Sequence, residues 1–169
     1  MGIPDDRPGP VEFGDFKPVR DFREFSDPDD GRMTIERTNP VTSMYPRLVV
    51  ADAVRAIEFY ASALGAVETA RHTDDNGKIV HSELKIGGLM FAIKDEDHGD
   101  PSPATLSGSP VILALDVTDA DEVGEAMLAA GATVIYPIRD WDYGARAGRF
   151  ADPFGHLWMI SQPLTASTS

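Results

Sequence analysis

The succession of strand and helix signals in this chain occurs twice, and that repetition constrains the fold more than any single motif does. The first copy opens with YPRLVV, where Leu48 and Val50 share one side of an extended segment and Tyr45, Arg47 and Val49 the other. ADAVRAIEFYASALGA follows, with Ala53, Ala56, Ile57, Tyr60 and Leu64 at helical spacing. Asp52 is placed to cap its start and Gly65 its end. Three strand-like pieces come next: AVETARHT, then KIVHSELKIG after a DDNG turn, then LMFAIKD after two glycines. The second copy keeps the order. VILALDV reads as a strand and DADEVGEAMLAAGA as a helix, with Val123, Met127 and Leu128 on one face, Asp119 or Asp121 before it and Gly131 behind it. TVIYPI, GARAGRFAD and HLWMISQ complete it. The expectation is an α+β domain over 41–163, built from tandem βαβββ modules at 45–97 and 109–162.

What lies around the modules differs in composition. HGDPSPATLSGSP, 98–110, is rich in Pro, Gly and Ser and marks a linker, taken as 98–108 between the modules. Residues 1–40 form a Pro/Asp-rich arm without a sustained apolar period, yet Phe13, Phe16, Phe22 and Phe25 recur through it. Aromatic rings are costly to leave in water, so the arm is expected in a groove of its own domain or of a partner subunit. Residues 164–169 read as a tail. The formal charge of −13 repels phosphate backbones and argues against nucleic-acid partners. With no cysteine there is no disulfide, thiolate metal site or thiol nucleophile. No apolar run approaches the ~18 residues a membrane span needs, and the acidic N-terminus lacks a basic leader region. A cytoplasmic protein is expected.

LVVADAVRAIEFYASALGA in the first module, and LALDVTDADEVGEAMLAAGA with DPFGHLWMI in the second, resemble the vicinal oxygen chelate superfamily. That group includes glyoxalase I, extradiol dioxygenases, fosfomycin-modifying enzymes and bleomycin-resistance proteins. HSELKIGG and WDYGARAGRFADPFGHLWMI are similar to its glyoxalase-like (PhnB-like) subgroup. The resemblance implies that each module curls its strands into a half-open barrel. Two half-barrels then enclose a cavity, often with one supplied by a second subunit. Metal-dependent members place His, Glu or Gln on the first and last strands of each module. Carried over, those positions fall on Tyr45, Ala92, Ile112 and Met159. Only the tyrosine could donate, as a phenolate, so no cofactor is expected. An alternative divalent-metal site is the pair His81 and Glu83, two apart on a strand whose other face, Val80, Leu84 and Ile86, reads as core. His72 and His98 read as solvated.

Strand alternation assigns Tyr45, Arg47, Val49, Met90, Ala92, Lys94, Ile112, Ala114, Asp116, Leu157, Met159 and Ser161 to the cavity side, and turns Trp158 and Ile160 to the helix. The apolar middle, with adaptable Met90 and Met159, suits an aromatic or polycyclic organic ligand. RDWDYGARAGR, 139–149, reads as a loop over the cavity mouth, with Trp141, Tyr143 and Arg149 as ligand contacts. Arg146 and Arg149 are placed to pair with an acidic ligand group or with nearby carboxylates. Asp152-Pro153-Phe154-Gly155 reads as a hairpin turn, with Asp152 bonding turn amides and His156 structural. The expected function is binding, with antibiotic or toxin sequestration one purpose, by a homodimer; the acidic surface favours cationic ligands. The competing reading is a lyase, isomerase or dioxygenase. It would use metal at His81 and Glu83, or metal-free acid–base chemistry by Tyr45, Arg47 or Asp116. A partner-binding dimer that uses the aromatic arm is a further alternative. No catalytic residue is assigned.

Overall fold

A computed structural model of the chain describes residues 41–164; the Pro/Asp-rich arm, its phenylalanines and the last residues lie outside this range. The elements are β1 (Arg47–Val50), α1 (Ala53–Leu64), β2 (Val67–Thr73), β3 (Ile79–Ile86) and β4 (Leu89–Asp95). After a one-turn helix α2 (Pro103–Leu106) come β5 (Ile112–Asp116), α3 (Ala120–Ala129), β6 (Thr133–Trp141), β7 (Ala145–Ala151) and β8 (Leu157–Pro163). Each module yields one four-stranded sheet, ordered β1-β4-β3-β2 and β5-β8-β7-β6. In both, the first strand runs parallel to the last and the other pairs are antiparallel. This is the α+β arrangement that the repeat predicts and the paired half-barrels that the resemblance implies.

The helices begin and end where their caps place them. Asp52 accepts the Arg55 N–H, and Asp119 accepts the Glu122 N–H, each at 3.0 Å. Gly65 takes the left-handed conformation (φ +63°), and its N–H bonds the Ala61 carbonyl. α1 buries Ala53, Ala56, Ile57, Phe59, Tyr60 and Ala63. In α3 the inward face is Ala120, Gly124 and Met127, with Val123 packed beside it; Leu128, expected on that face, is exposed. Spacing alone placed Leu128 next to Met127, but the adjacent residue of a helix points about 100° away. Val80 is also exposed, because the pairing of β2 with β3 shifts register between His72 and Thr73, and Ile79 takes the core position instead.

One hydrophobic core serves both modules. Leu48, Val50, Leu84, Phe91 and Ile93 from the first sheet meet Phe150, Trp158 and Ile160 from the second, around the mutually packed α1 and α3. At its centre lies a buried polar knot. Tyr60 Oη donates to Asp152 Oδ2 at 2.6 Å, and Trp158 Nε1 donates to the same oxygen at 2.9 Å. Asp152 Oδ1 accepts the N–H groups of Phe154 and His156, both at 2.9 Å. The His156 ring nitrogen Nε2 lies 3.0 Å from the Val49 carbonyl of the first module. Burial, reinforced by the negative charge of Asp152, raises the Tyr60 phenol well above its ordinary pKa, so it stays a donor. The Asp-Pro-Phe-Gly-His turn therefore joins the modules, and His156 is placed by structure. Because both sheets turn one face to this shared core, their other faces open away from it.

Candidate functional site

The cross-strand registers define a matching central row on each open face. In the first sheet it is Arg47, Ala92, Glu83 and Ala70. In the second it is Ala114, Met159, Arg149 and Tyr136. The family's metal-ligand positions are thus occupied by Ala92, buried in the first row, and by Met159, half-buried in the second, with Tyr45 and Ile112 exposed near them. No group of three or more His, Asp or Glu residues placed to hold a metal ion occurs among the described residues.

The second row is the richer site. β6 carries an irregularity between Tyr136 and Arg139, where three residues of β6 span two of β7. Pro137 lies within it; proline cannot donate to the ladder and is tolerated on such an edge strand. The extra residue sends Ile138 into the core, against Gly148 and Gly124, where an added Cβ would come within 2.6 and 2.5 Å of its side chain. Tyr136 and Arg139 consequently stay on the open face. Tyr136, Trp141, Tyr143, Arg149 and Met159 line a cavity of about 180 Å³ floored by Ala147 and Gly148. Trp141 is fixed by its Nε1–H bonding the Ala147 carbonyl at 2.9 Å. Its ring stacks with Tyr143 at 6.0 Å and 18°, and the Arg139 guanidinium lies 3.8 Å from its centroid. The Arg149 guanidinium sits 5.6 Å from the Tyr136 ring, and its Nε is buried with no hydrogen-bond partner among the described residues.

The expected loop at 139–149 is a hairpin rather than a flap. Arg139, Asp140 and Trp141 pair with Ala147, Arg146 and Ala145, and only 142–144 turn, with Gly144 at φ +83°. Strand pairing wins because that glycine permits a tight reversal and Trp141 is tied across it. Arg146, read as a ligand contact or ion-pair partner, takes the second role: it bonds Asp121 on α3 and Asp140 on β6. Those bonds pull the Asp121 carboxyl below its ordinary range. Arg149 has no such partner among the described residues.

On the first open face, Arg47 donates to the Val80 carbonyl at 2.7 Å. His81 Nε2 lies 3.5 Å from Glu83 Oε1, and its ring stacks with His72 at 6.1 Å. Lys94, almost wholly buried, donates to Asp97 and Asp100 at 2.6 Å each and pins that turn. Tyr45 and Met90 do not face the aromatic cavity. They line a separate apolar recess of about 430 Å³ with Leu89, Phe91, Leu115 and Trp158. Ile112 and Asp116 stand exposed on edge strand β5. Another recess, about 620 Å³, lies between α1 and α3 and has only Arg55 and Glu58 as charged lining residues. The structure therefore brings together Trp141, Tyr143, Arg149 and Met159, and leaves Tyr45, Arg47, Met90, Ala92, Ile112 and Asp116 outside that group. Tyr136 escaped the sequence reading, although Pro137 in the middle of a strand signals the bulge that turns it outward.

The family model described as the Glyoxalase/Bleomycin resistance protein/Dioxygenase superfamily matches residues 38–160. An uncharacterized protein of Mycobacterium tuberculosis is 40% identical over 131 residues, covering 75% of this chain and 77% of its own length. Among solved structures, TioX from Micromonospora is similar, at 25% identity and a TM-score of 0.57, over 75% of this chain and all of its own. The fosfomycin resistance protein FosX from Listeria monocytogenes, complexed with Mn(II) and dihydroxypropylphosphonic acid, shares the fold at 21% identity and a TM-score of 0.54. That match covers 71% of this chain and 89% of FosX.

Proposed function

The chain belongs to the glyoxalase/bleomycin resistance protein/dioxygenase superfamily, and from that premise we propose that it binds a small aromatic molecule without a metal ion, on the open face of the second sheet. The observation that supports this most is the content of that face, a cup of Tyr136, Trp141, Tyr143 and Met159 around an unpartnered guanidinium. Such a lining holds a flat ring by stacking and packing. The donor set points the same way. Ala92, Ile112 and Met159 stand where a hard or borderline divalent ion would need nitrogen or oxygen, and Tyr45 offers at most one phenolate. Sequestration of a toxic compound in the cytoplasm is the role such a metal-free aromatic cup would serve, in a glyoxalase-like (PhnB-like) member.

The open faces also support a homodimer. Val134, Ile135 and Tyr136 on β6 are 46%, 42% and 54% exposed, apolar surface that a second copy would cover while closing the cup. Among the described residues no helix is long and apolar enough to cross a membrane.

Titration of the whole chain with one- to three-ring aromatic compounds should quench tryptophan fluorescence, and Trp141→Phe should remove the response. Quenching that survives would place the ring in the recess lined by Trp158 and overturn the cup as its site. Elemental analysis of the purified protein should find no stoichiometric transition metal. A second reading, an enzyme of the same fold, draws on the His81–Glu83 contact at 3.5 Å. About one metal per chain, lost in His81→Ala, would favour it and overturn the first.

A further inference from the structure

We propose that the ligand of this cup is a monocyclic aromatic carboxylate, held by its carboxylate on Arg149 and by its ring among Tyr136, Trp141 and Tyr143. The proposal rests on the aromatic-binder reading above and adds to it a charge and a size. The first support is the state of the cation. Arg146 on the same strand is matched with Asp121 and Asp140, and in the first sheet Arg71 is matched with Glu68 and Lys94 with Asp97 and Asp100. Arg139, like Arg149, lies against a ring without a carboxylate among the described residues, but none of its nitrogens is buried without a partner. Arg149 has only the face of Tyr136, and its Nε is the one buried side-chain nitrogen or oxygen without a partner among the described residues. The chain has 28 carboxylate residues against 15 basic ones, so an unpaired guanidinium is not for want of acids. A buried donor left without an acceptor is unfavourable. A planar fork of donors matches a carboxylate in shape as well as charge.

The second support is room. A cavity of about 180 Å³ is slightly larger than the ~150 Å³ apolar cavity that accepts benzene. One ring with a small substituent fits, and the ring would meet Met159 and the Tyr136 and Tyr143 faces while the substituent reaches Arg149. The negative surface, which taken alone favours cationic ligands, does not decide the contact. Its field is screened beyond about 8 Å at physiological salt, whereas a bound carboxylate touches the guanidinium.

Benzoate and benzamide, equal in shape and different in charge, test this on the full chain by ligand-observed NMR and isothermal titration. Benzoate should bind at least about tenfold tighter than benzamide, and added salt should weaken benzoate alone. Arg149→Gln should bring benzoate down to the benzamide level while benzamide is unaffected. Arg149→Lys, which keeps the charge and loses the fork, should recover part of the preference, and thermal melts check that both variants fold. Equal binding of the two probes by the wild type would overturn the carboxylate assignment and leave the aromatic-binder reading standing. A preference that survives Arg149→Gln would move the counter-charge elsewhere and overturn the role of Arg149. Binding of larger neutral aromatics without either probe would overturn the size and charge together; no binding of any ring would overturn the parent reading as well.

Discussion

The two modules share a backbone plan and differ in what they place on it. At equivalent positions of the central rows, Ala70 corresponds to Tyr136, Glu83 to Arg149, Arg47 to Ala114 and Ala92 to Met159. One sheet therefore presents a carboxylate beside imidazoles, the other a guanidinium among aromatic rings. Behind the rows the difference continues, with Ser82 where the second module has Gly148. Ser82 is buried and donates to Glu68 at 2.7 Å; Gly148 is bare so that Ile138 can lie on it. The lesson is that caps, turns and core-facing residues set the sheet, and the open faces are free to diverge because they carry none of that burden.

The comparison breaks most sharply at the β7–β8 turn. Asp152→Ala would leave the Tyr60 hydroxyl, the Trp158 N–H and two turn amides buried without an acceptor, a loss of about 3–5 kcal/mol in urea denaturation. In the corresponding turn of the first module, Gly88→Ala meets no atom within 4 Å and should change stability by no more than about 0.5 kcal/mol. A small effect of Asp152→Ala would mean that the apolar core alone unites the halves.

Exchanging the residues behind the rows comes next. Gly148→Ser, copying the first module, forces its Cβ to within 2.9 Å of the Ile138 backbone nitrogen and should cost about 1–3 kcal/mol. The reverse exchange, Ser82→Gly, loses one hydrogen bond and some chain stiffness, about 1 kcal/mol. If the second variant proved the less stable, the bulge in β6 would be tolerating more than the close contact suggests.

Smaller still is Tyr136→Ala, which copies Ala70. It should weaken the binding of a neutral ring about three- to tenfold, read by titration, since one aromatic contact contributes about 0.5–1.5 kcal/mol.

The mildest test is acid titration of the first module. Its hydrogen bond from Lys94, with two backbone amides, lowers the Asp97 carboxyl to about 2 from an ordinary 3.8. A depressed carboxyl stabilises fully above its unfolded value and loses that contribution as pH falls from about 4 toward 2. Lys94→Met should therefore flatten the decline of Tm over that range. The second module has Ser161 at the matching position and should contribute nothing to the difference.

Much of this is legible in the sequence. The repeat, both helices, Asp52 and Gly65 as caps, Asp119 or Asp121 as the second N-cap (the structure uses Asp119), and Trp158 and Ile160 as core residues follow from periodicity and local hydrogen bonding, which act over a few residues. Trp141, Tyr143 and Arg149 are read from the 139–149 segment and Met159 from strand alternation, and the structure gathers these four around one cavity. Alternation failed where the ladder is irregular. The shift in β2–β3 exposed Val80, and the bulge in β6 brought Tyr136 into the site; a period-two argument cannot see an inserted residue. It also could not sort residues on one face into separate recesses, which is why Tyr45 and Met90 were grouped with a cavity they do not line. Nor could it reveal that Arg146 finds carboxylates while Arg149 does not, since those partners lie on other elements.

The knot around Asp152 has a consequence for dividing such a chain. A half that carries the acid lacks the phenol, and a half that carries the phenol lacks the acid, so neither satisfies all its own buried polar groups. Cutting the polypeptide in the 98–108 segment would yield fragments obliged to find each other before either could bury its aromatic interior. The two halves are lock and bolt, and cannot trade places.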